Sequence, residues 1–163
     1  MSVNRRRLHV FVLPEDDANR QLAIGFLSDQ YLSNGQAKVL REAGGWTRAL
    51  ERFKENEVAG MDRFPERLMV LLIDLDGRKE RLTQAKAEIP SHLVERVFIL
   101  GALTKPEALK QAGLGSYEQI GLTMAKDCRE GTDGIWAHDL LRHNASELGR
   151  LQEKVRPFLF PPY

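Results

Sequence analysis

The apolar positions of this chain fall into short unbroken runs separated by longer stretches of helical period. The densest run is Leu68-Met69-Val70-Leu71-Leu72-Ile73. It is too short to span a membrane and has no 3.6-residue repeat, so it reads as a strand buried on both faces, as in the middle of a parallel sheet. His9-Val10-Phe11-Val12-Leu13 reads as a first strand ended by Pro14, Ala37 to Arg41 as a short second, and Val97-Phe98-Ile99-Leu100 as a fourth ended by Gly101. Ala18 to Leu27 carries a helical stripe that is expected to continue to Tyr31-Leu32, before a turn at Ser33-Asn34-Gly35. Further helices are expected from Trp46 to about Glu57, from Arg78 to Ile89, over Ala108 to Ala112, from Ser116 to Cys128, and as one long final helix from about Ile135 to Val155. Gly60 to Arg67 reads as a polar connection, and Arg156-Pro157 as the end of the last helix. Strands alternating with helices, followed by helices alone, predict an α/β fold: a four-stranded parallel sheet with helices on both faces and a C-terminal helical extension.

Polar chemistry gathers where the strands end. Glu15 follows the first strand, with Asp16 and Asp17 after it, and Asp74-Leu75-Asp76 closes the third. Alternate residues of an extended chain share a face, so Asp74 and Asp76 are expected to point the same way if the strand continues that far. In open α/β sheets ligands collect at the carboxyl ends of strands. Like charges placed there repel, and a divalent cation with oxygen ligands offsets the repulsion. The alternative is ordinary turn chemistry and helix starting, which also explains Asp16 and Asp17 through the helix dipole. Gly44-Gly45 either turns the chain or offers backbone amides to a phosphate. Thr104-Lys105-Pro106-Glu107 has the form of a capping box with proline in the first turn.

With 163 residues, 42% hydrophobic and 29% charged, the chain is long enough for one domain with its own core. The formal charge is +1, from 24 basic and 23 acidic residues, so any surface for a polyanion must be local rather than global. Arg5-Arg6-Arg7 is the one basic run near a terminus, and it serves at the least as a solubilising flank to the first strand. The single cysteine, Cys128, excludes an internal disulfide and a multi-cysteine zinc site. The apolar stretch after the arginines is too short for a secretory signal and no segment approaches membrane length, so a cytoplasmic protein is expected.

A glutamate after strand one, a glycine turn after strand two and D-x-D after strand three resemble the Toprim fold, the metal-binding domain of topoisomerases, DnaG-type primases and OLD-family nucleases. The resemblance covers Leu8 to about Leu109, with residues 110–163 as a helical extension and apolar tail on the same domain. Glu15 matches the Toprim glutamate, and Asp74 and Asp76 match the D-x-D pair. The departures are Asp16 where a glycine usually follows the glutamate, Asn19 where many relatives carry an aspartate, and Arg78 in place of a third aspartate. The resemblance implies that Glu15, Asp74 and Asp76 hold Mg2+ or Mn2+ and act on nucleic-acid phosphodiesters, with Glu15 as general base and an ATPase as partner. Glu107 answers to a further glutamate of nuclease relatives. Lys38, Arg41, Arg78 and Lys79 are the candidates for holding phosphates. The competing reading is the same fold as a non-catalytic interaction module. A flavodoxin-like receiver also sets acids at strand ends, but here the fourth strand reaches Lys105 only through Thr104.

A second group of chemistry-bearing residues runs from Asp127 to Asn144 and includes Asp133, His138, Asp139 and His143. On a helix Asp139 would face His143, either orienting an imidazole or forming a surface ion pair. Cys128, Trp46 and Phe53 are expected in the core. The tail Phe158 to Tyr163 is apolar for a terminus, and it either folds back or docks on another chain; self-association through this C-terminal region is the expectation.

Overall fold

The structure, a computed structural model, describes residues 2–33 and 35–162. The expected turn at Ser33-Asn34-Gly35 and the end of the tail fall partly on Asn34 and Tyr163, outside the described residues. Four strands form one parallel sheet in the order β2-β1-β3-β4: β1 (His9–Pro14), β2 (Ala37–Val39), β3 (Arg67–Leu72) and β4 (Val97–Leu100). Every residue of β1, β3 and β4 is buried. That explains the unbroken apolar runs, because a strand covered on both faces has no polar side to alternate with.

Side chains alternate between two cores. Val10, Val12, Val70, Phe98 and Leu100 face one layer of helices, formed by α1 (Asp17–Leu27), α6 (Tyr117–Glu130), α7 (Ala145–Lys154) and the short α8 (Arg156–Leu159), with α5 (Pro106–Gln111) contributing Leu109. Phe11, Leu13, Met69, Leu71 and Ile99 face the opposite layer, formed by α2 (Trp46–Arg52), α3 (Val58–Arg63) and α4 (Glu80–Ala87). The molecule is thus a three-layer, Rossmann-like α/β fold. No helix among the described residues is long and apolar enough to cross a membrane.

Several boundaries differ from those expected. Helix α1 stops at Leu27, because the Ser28 amide and hydroxyl both return to the Gly25 carbonyl and Asp29 accepts from the Tyr31 amide. The helix that starts at Trp46 runs on through a π-helical stretch, Phe53–Glu57, into α3, so part of the expected 60–67 connection is helical. The Thr104–Glu107 capping box does not form. The Thr104 carbonyl is engaged by the Asp76 amide and the cap of α5 shifts to Lys105, which gives no side-chain hydrogen bond. A capping box forms instead at Ser116 and Gln119 on α6.

The expected long helix from Ile135 to Val155 is two pieces. Turns occupy 135–141, a 3-10 turn spans Arg142–Asn144, and α7 begins only at Ala145. The break has a cause in β4, an edge strand with outward-facing backbone groups to satisfy. Asn144 accepts from the Gly101 amide at 3.2 Å and donates to its carbonyl at 3.0 Å, while Glu147 accepts from the Ile99 amide at 2.8 Å. Arg150 donates to the Val97 carbonyl at 3.3 Å and to Glu147 at 2.9 Å, which offsets the cost of burying that carboxylate. The tail folds back in this structure: the Leu159 carbonyl accepts from the Ser33 amide, and Phe160 packs its ring 6.0 Å from that of Phe26.

Helices α1 and α6 cross with backbones in contact, and glycine makes this possible on both sides. A Cβ at Gly25 would lie 2.1 Å from the Glu118 carbonyl oxygen, and one at Gly121 would lie 2.0 Å from that of Leu22. Gly25→Ala or Gly121→Ala is therefore expected to cost about 2–4 kcal/mol by forcing the helices apart. Gly149→Ala on α7 meets nothing within 4 Å and is expected to be neutral or stabilising. Thermal denaturation of the three variants checks the contrast; equal melting points would refute the crossing.

Candidate metal centre at the carboxyl ends of β1 and β3

From β1 the chain leaves through α1 to β2 on one side, and it returns through α2 and α3 to β3 on the other. The connections therefore diverge between β1 and β3, and the crevice at their carboxyl ends is the topological switch point where α/β sheets bind ligands. Glu15 and Asp74 stand there. Glu15 accepts from the Asp74 amide at 2.7 Å through Oε2, which ties the two strand ends together and leaves its second oxygen for a ligand.

The ladder between β3 and the segment after β4 continues through Leu75, whose amide reaches the Ala102 carbonyl. Asp76 then turns to φ +53°, a left-handed conformation that aspartate tolerates, followed by Gly77 at +73°. Asp74 and Asp76 consequently do not share an environment. Asp74 is 3% exposed, whereas Asp76 is exposed on the rim. The third member of the tight cluster is Asp16. One oxygen each of Glu15, Asp16 and Asp74 lies within 4.8 Å of the others. Asp16 also performs the helix-starting role expected of it, accepting from the Asn19 amide at 3.0 Å as the N-cap of α1. Asn19 binds the cluster from beneath, its amide nitrogen donating to Asp16 at 3.0 Å and to Asp74 at 3.1 Å.

Three carboxylates this close are electrostatically expensive. Burial first, then the charges of Glu15 and Asp16, push Asp74 up to about 8. Glu15 is raised as well, chiefly by burial and then by Asp16 and Asp76, against the lowering effects of the Asp74 amide and Arg81. Asp74 Oδ1 is buried without a hydrogen-bond partner. A buried acceptor without a donor, set among hard oxygen ligands, suits a cation better than a water-starved carboxylate. Glu15, Asp16 and Asp74 are accordingly the residues that could hold a metal ion.

The cluster opens into a pocket of about 580 Å³ whose walls also carry Asp76, Glu107, Arg48, Arg81 and Lys105. Arg81 is held there with its guanidinium 5.0 Å from the Trp46 ring centroid. Tyr117 feels the same acidic field: burial, then Glu107, Asp16 and Asp74, raise its phenol. The Gly44 and Gly45 amides are committed to the Glu15 carbonyl at 2.8 and 3.0 Å, so the glycine pair is a turn and offers no amide to a phosphate from those two groups.

The structure thus gathers Glu15, Asp16, Asp74, Asp76 and Glu107 at one pocket, and it leaves the second sequence constellation elsewhere. The expected Asp139–His143 pairing is replaced, because the segment is not helical: exposed Asp139 pairs with Arg142 at 3.2 Å. His143 donates from Nε2 to the Gly101 carbonyl at 2.7 Å and is lowered mainly by burial, so it is a neutral part of the β4 edge. His138 accepts from the Leu140 amide, and Asp133 is exposed with its carbonyl holding the Ala137 amide. The basic wall is Arg48, Arg81 and Lys105 rather than the expected Lys38, Arg41, Arg78 and Lys79; Arg78 pairs with Glu80 at 3.1 Å on the surface. The only signal for the observed set was position: Arg48 and Arg81 stand about one turn beyond the glycine pair and the D-x-D loop, and Lys105 stands in the loop after β4. Comparison with protein-family models, curated proteins and solved structures finds no match to this chain.

The raised pKa of Asp74 has a sign that can be tested. The folded chain holds its proton more tightly than the unfolded chain, so the stability it contributes is full below about pH 4 and lost as pH rises through about 8. In a chelator, the melting point should fall across that window, and Asp74→Asn should flatten the fall and raise the melting point at pH 8, by about 2–4 °C for each kcal/mol of repulsion relieved. A variant that melts below the wild type at pH 8 would mean that the carboxylate is a structural partner.

Proposed function

We propose that this chain is a Toprim-like protein that binds a divalent cation, Mg2+ or Mn2+, through Glu15, Asp16 and Asp74 and acts on nucleic-acid phosphodiesters. The observation that carries the reading is Asp74: a carboxylate 3% exposed, one oxygen without a donor, with two further carboxylates alongside at a switch point. All three ligands are hard oxygens, which favours a cation of the magnesium or manganese type over a softer metal. Once bound, such a cation supplies charge neutralisation and polarises a phosphoryl oxygen.

The chain's own residues supply the rest. Arg48, Arg81 and Lys105 give the acidic floor a cationic wall, which suits a ligand that is itself anionic, such as a phosphodiester held against a metal. Glu15, with Oε2 tied to the Asp74 amide and its carboxyl raised above the usual range, offers its other oxygen as a ligand to the cation or, where Asp16 and Asp74 hold the cation, as the base that takes a proton from an attacking hydroxyl or water. Asn19 keeps Asp16 and Asp74 at fixed spacing. An ATPase partner belongs to the same reading, and the single buried cysteine suits a reducing, cytoplasmic setting.

A second reading, binding without turnover, is favoured by Asp76. It is exposed, left-handed and outside the tight cluster, so the D-x-D pair does not act as one ligand set. The two readings separate in solution. Calorimetric titration with Mn2+ and Mg2+ should show binding that Asp74→Asn or Glu15→Gln reduces by at least about tenfold. Incubation with labelled single- and double-stranded DNA and RNA should then show metal-dependent cleavage that the same variants abolish. Cation binding with no cleavage of any substrate selects the second reading, and no binding at millimolar metal overturns both.

A further inference from the structure

We propose that the opposite end of the sheet, where Arg5, Arg63 and Arg67 gather around Phe64, is a docking surface for the phosphodiester backbone of a nucleic acid. Its position follows from the strands. His9 and Arg67 are paired neighbours at the first positions of β1 and β3, as far along the sheet from the acidic pocket as the strands allow. Guanidinium carbons of Arg67, Arg5 and Arg63 lie 4.8, 5.1 and 5.3 Å from the centroid of the single Phe64 ring. Arg67 also lies 4.0 Å from the Phe11 centroid. The ring quadrupoles offset part of the mutual repulsion, yet the three charges sit within about one screening length of one another, about 10 Å at 0.1 M salt.

What these cations lack is an anion. Among the described residues, none of the three has a carboxylate within 4.0 Å, although Glu57 acts through space on Arg67 and Glu66 on the neighbouring His9. Arg67 is 5% exposed, and its Nη2 is buried without a hydrogen-bond partner. Its Nε donates to His9 Nε2 at 3.1 Å, which forces the imidazole proton onto Nδ1, where it donates to the Arg7 carbonyl at 2.8 Å. That neutral histidine carries no compensating charge. A nearly buried, uncompensated arginine is costly, and holding it there is explained if an anion arrives to share it.

The surface is built, not frayed. Arg96 fastens the loop that carries Phe64, donating to the carbonyls of Met61, Phe64 and Arg67 at 2.9 Å. The arginine run is fastened too: the Asn4 amide reaches the Gly35 carbonyl, and the Asn4 side chain accepts from the Arg6 amide at 3.1 Å. Exposed Arg6 and Arg7 extend the positive charge beyond Phe64. Every cation in the cluster is arginine, whose forked and weakly hydrated head matches paired phosphate oxygens. A chain of net charge +1 that gathers Arg5, Arg6, Arg7, Arg63 and Arg67 at one end of its sheet has the local footprint of a backbone reader. The choice of nucleic acid among polyanions rests on the phosphodiester reading of the acidic pocket, whereas the anionic character of the ligand does not.

Fluorescence anisotropy of a labelled oligothymidylate, with full-length protein in EDTA at low salt, tests the surface without any metal. Arg5 and Arg63 are exposed, so the Arg5→Ala/Arg63→Ala double variant should keep its melting point. It should bind about tenfold more weakly, with a salt slope shallower by about 0.7 for each phosphate that the variant leaves unneutralised. Because the measurement is made in EDTA, it reads this surface with no cation at the acidic pocket, and a failed cation titration there leaves this surface standing. No binding by the wild type, or equal binding by the double variant, overturns the proposal. So does displacement of the oligonucleotide by poly-glutamate or by phosphatidylserine vesicles as readily as by unlabelled oligonucleotide, which would assign the surface to an acidic protein or a membrane.

Discussion

Strands β1 and β3 run side by side for six paired positions, and helices cover both of their faces. Nothing polar can be placed along that length without losing its water, so the sheet confines its chemistry to the strand ends. One end carries His9 and Arg67, the other Glu15 and Asp74. Both ends hold ionisable groups that burial disfavours, Arg67 lowered and Asp74 raised. Close packing that makes the middle of the sheet stable is the same force that leaves each end electrostatically unfinished. An overall charge near neutrality thus conceals a cationic edge and an anionic one, separated by the sheet itself.

Strands β1, β3 and β4 were legible because double-sided burial writes itself as an unbroken apolar run, and their alternation with helical stretches gives the parallel α/β architecture. Helix interiors were legible by period. The segment from Ile135 to Asn144 was not, because its apolar spacing suits a helix while its backbone is bent by a tertiary demand: Asn144 must reach Gly101. The same limitation governs the acidic site. Glu15 and Asp74 could be read from their places at strand ends. Asp76 could not be placed, since only the folded chain reveals that the extended geometry stops at Leu75 and the next residue turns left-handed. Asp16 had a sufficient local role as a helix cap, which hid its membership of the cluster. Arg48, Arg81 and Lys105 are charged residues without periodicity, and local sequence cannot tell a pocket wall from a solvated surface.

Arg5-Arg6-Arg7 is the opposite case, conspicuous in sequence and ambiguous in meaning. Its weight comes from Arg63 and Arg67, which are more than fifty residues away and are brought to the same phenyl ring by the crossover from β2 to β3. A cluster assembled from distant segments has no motif, and only the topology discloses it.

The hydrogen bonds that run from Asn144 and α7 to β4 also decide where the sheet stops. Glu147 and Asn144 occupy the backbone donors that a fifth strand would need, so the C-terminal segment acts as a stopper that ends sheet growth on that side. The opposite margin, the three-residue β2, carries no such plug in the hydrogen bonds of the described residues. Among the described residues, chain-to-chain strand addition therefore has one margin left to it, and a version of this protein cut before the 3-10 turn at Arg142–Asn144 would acquire a second, with polymerisation in place of a finite assembly as its characteristic failure.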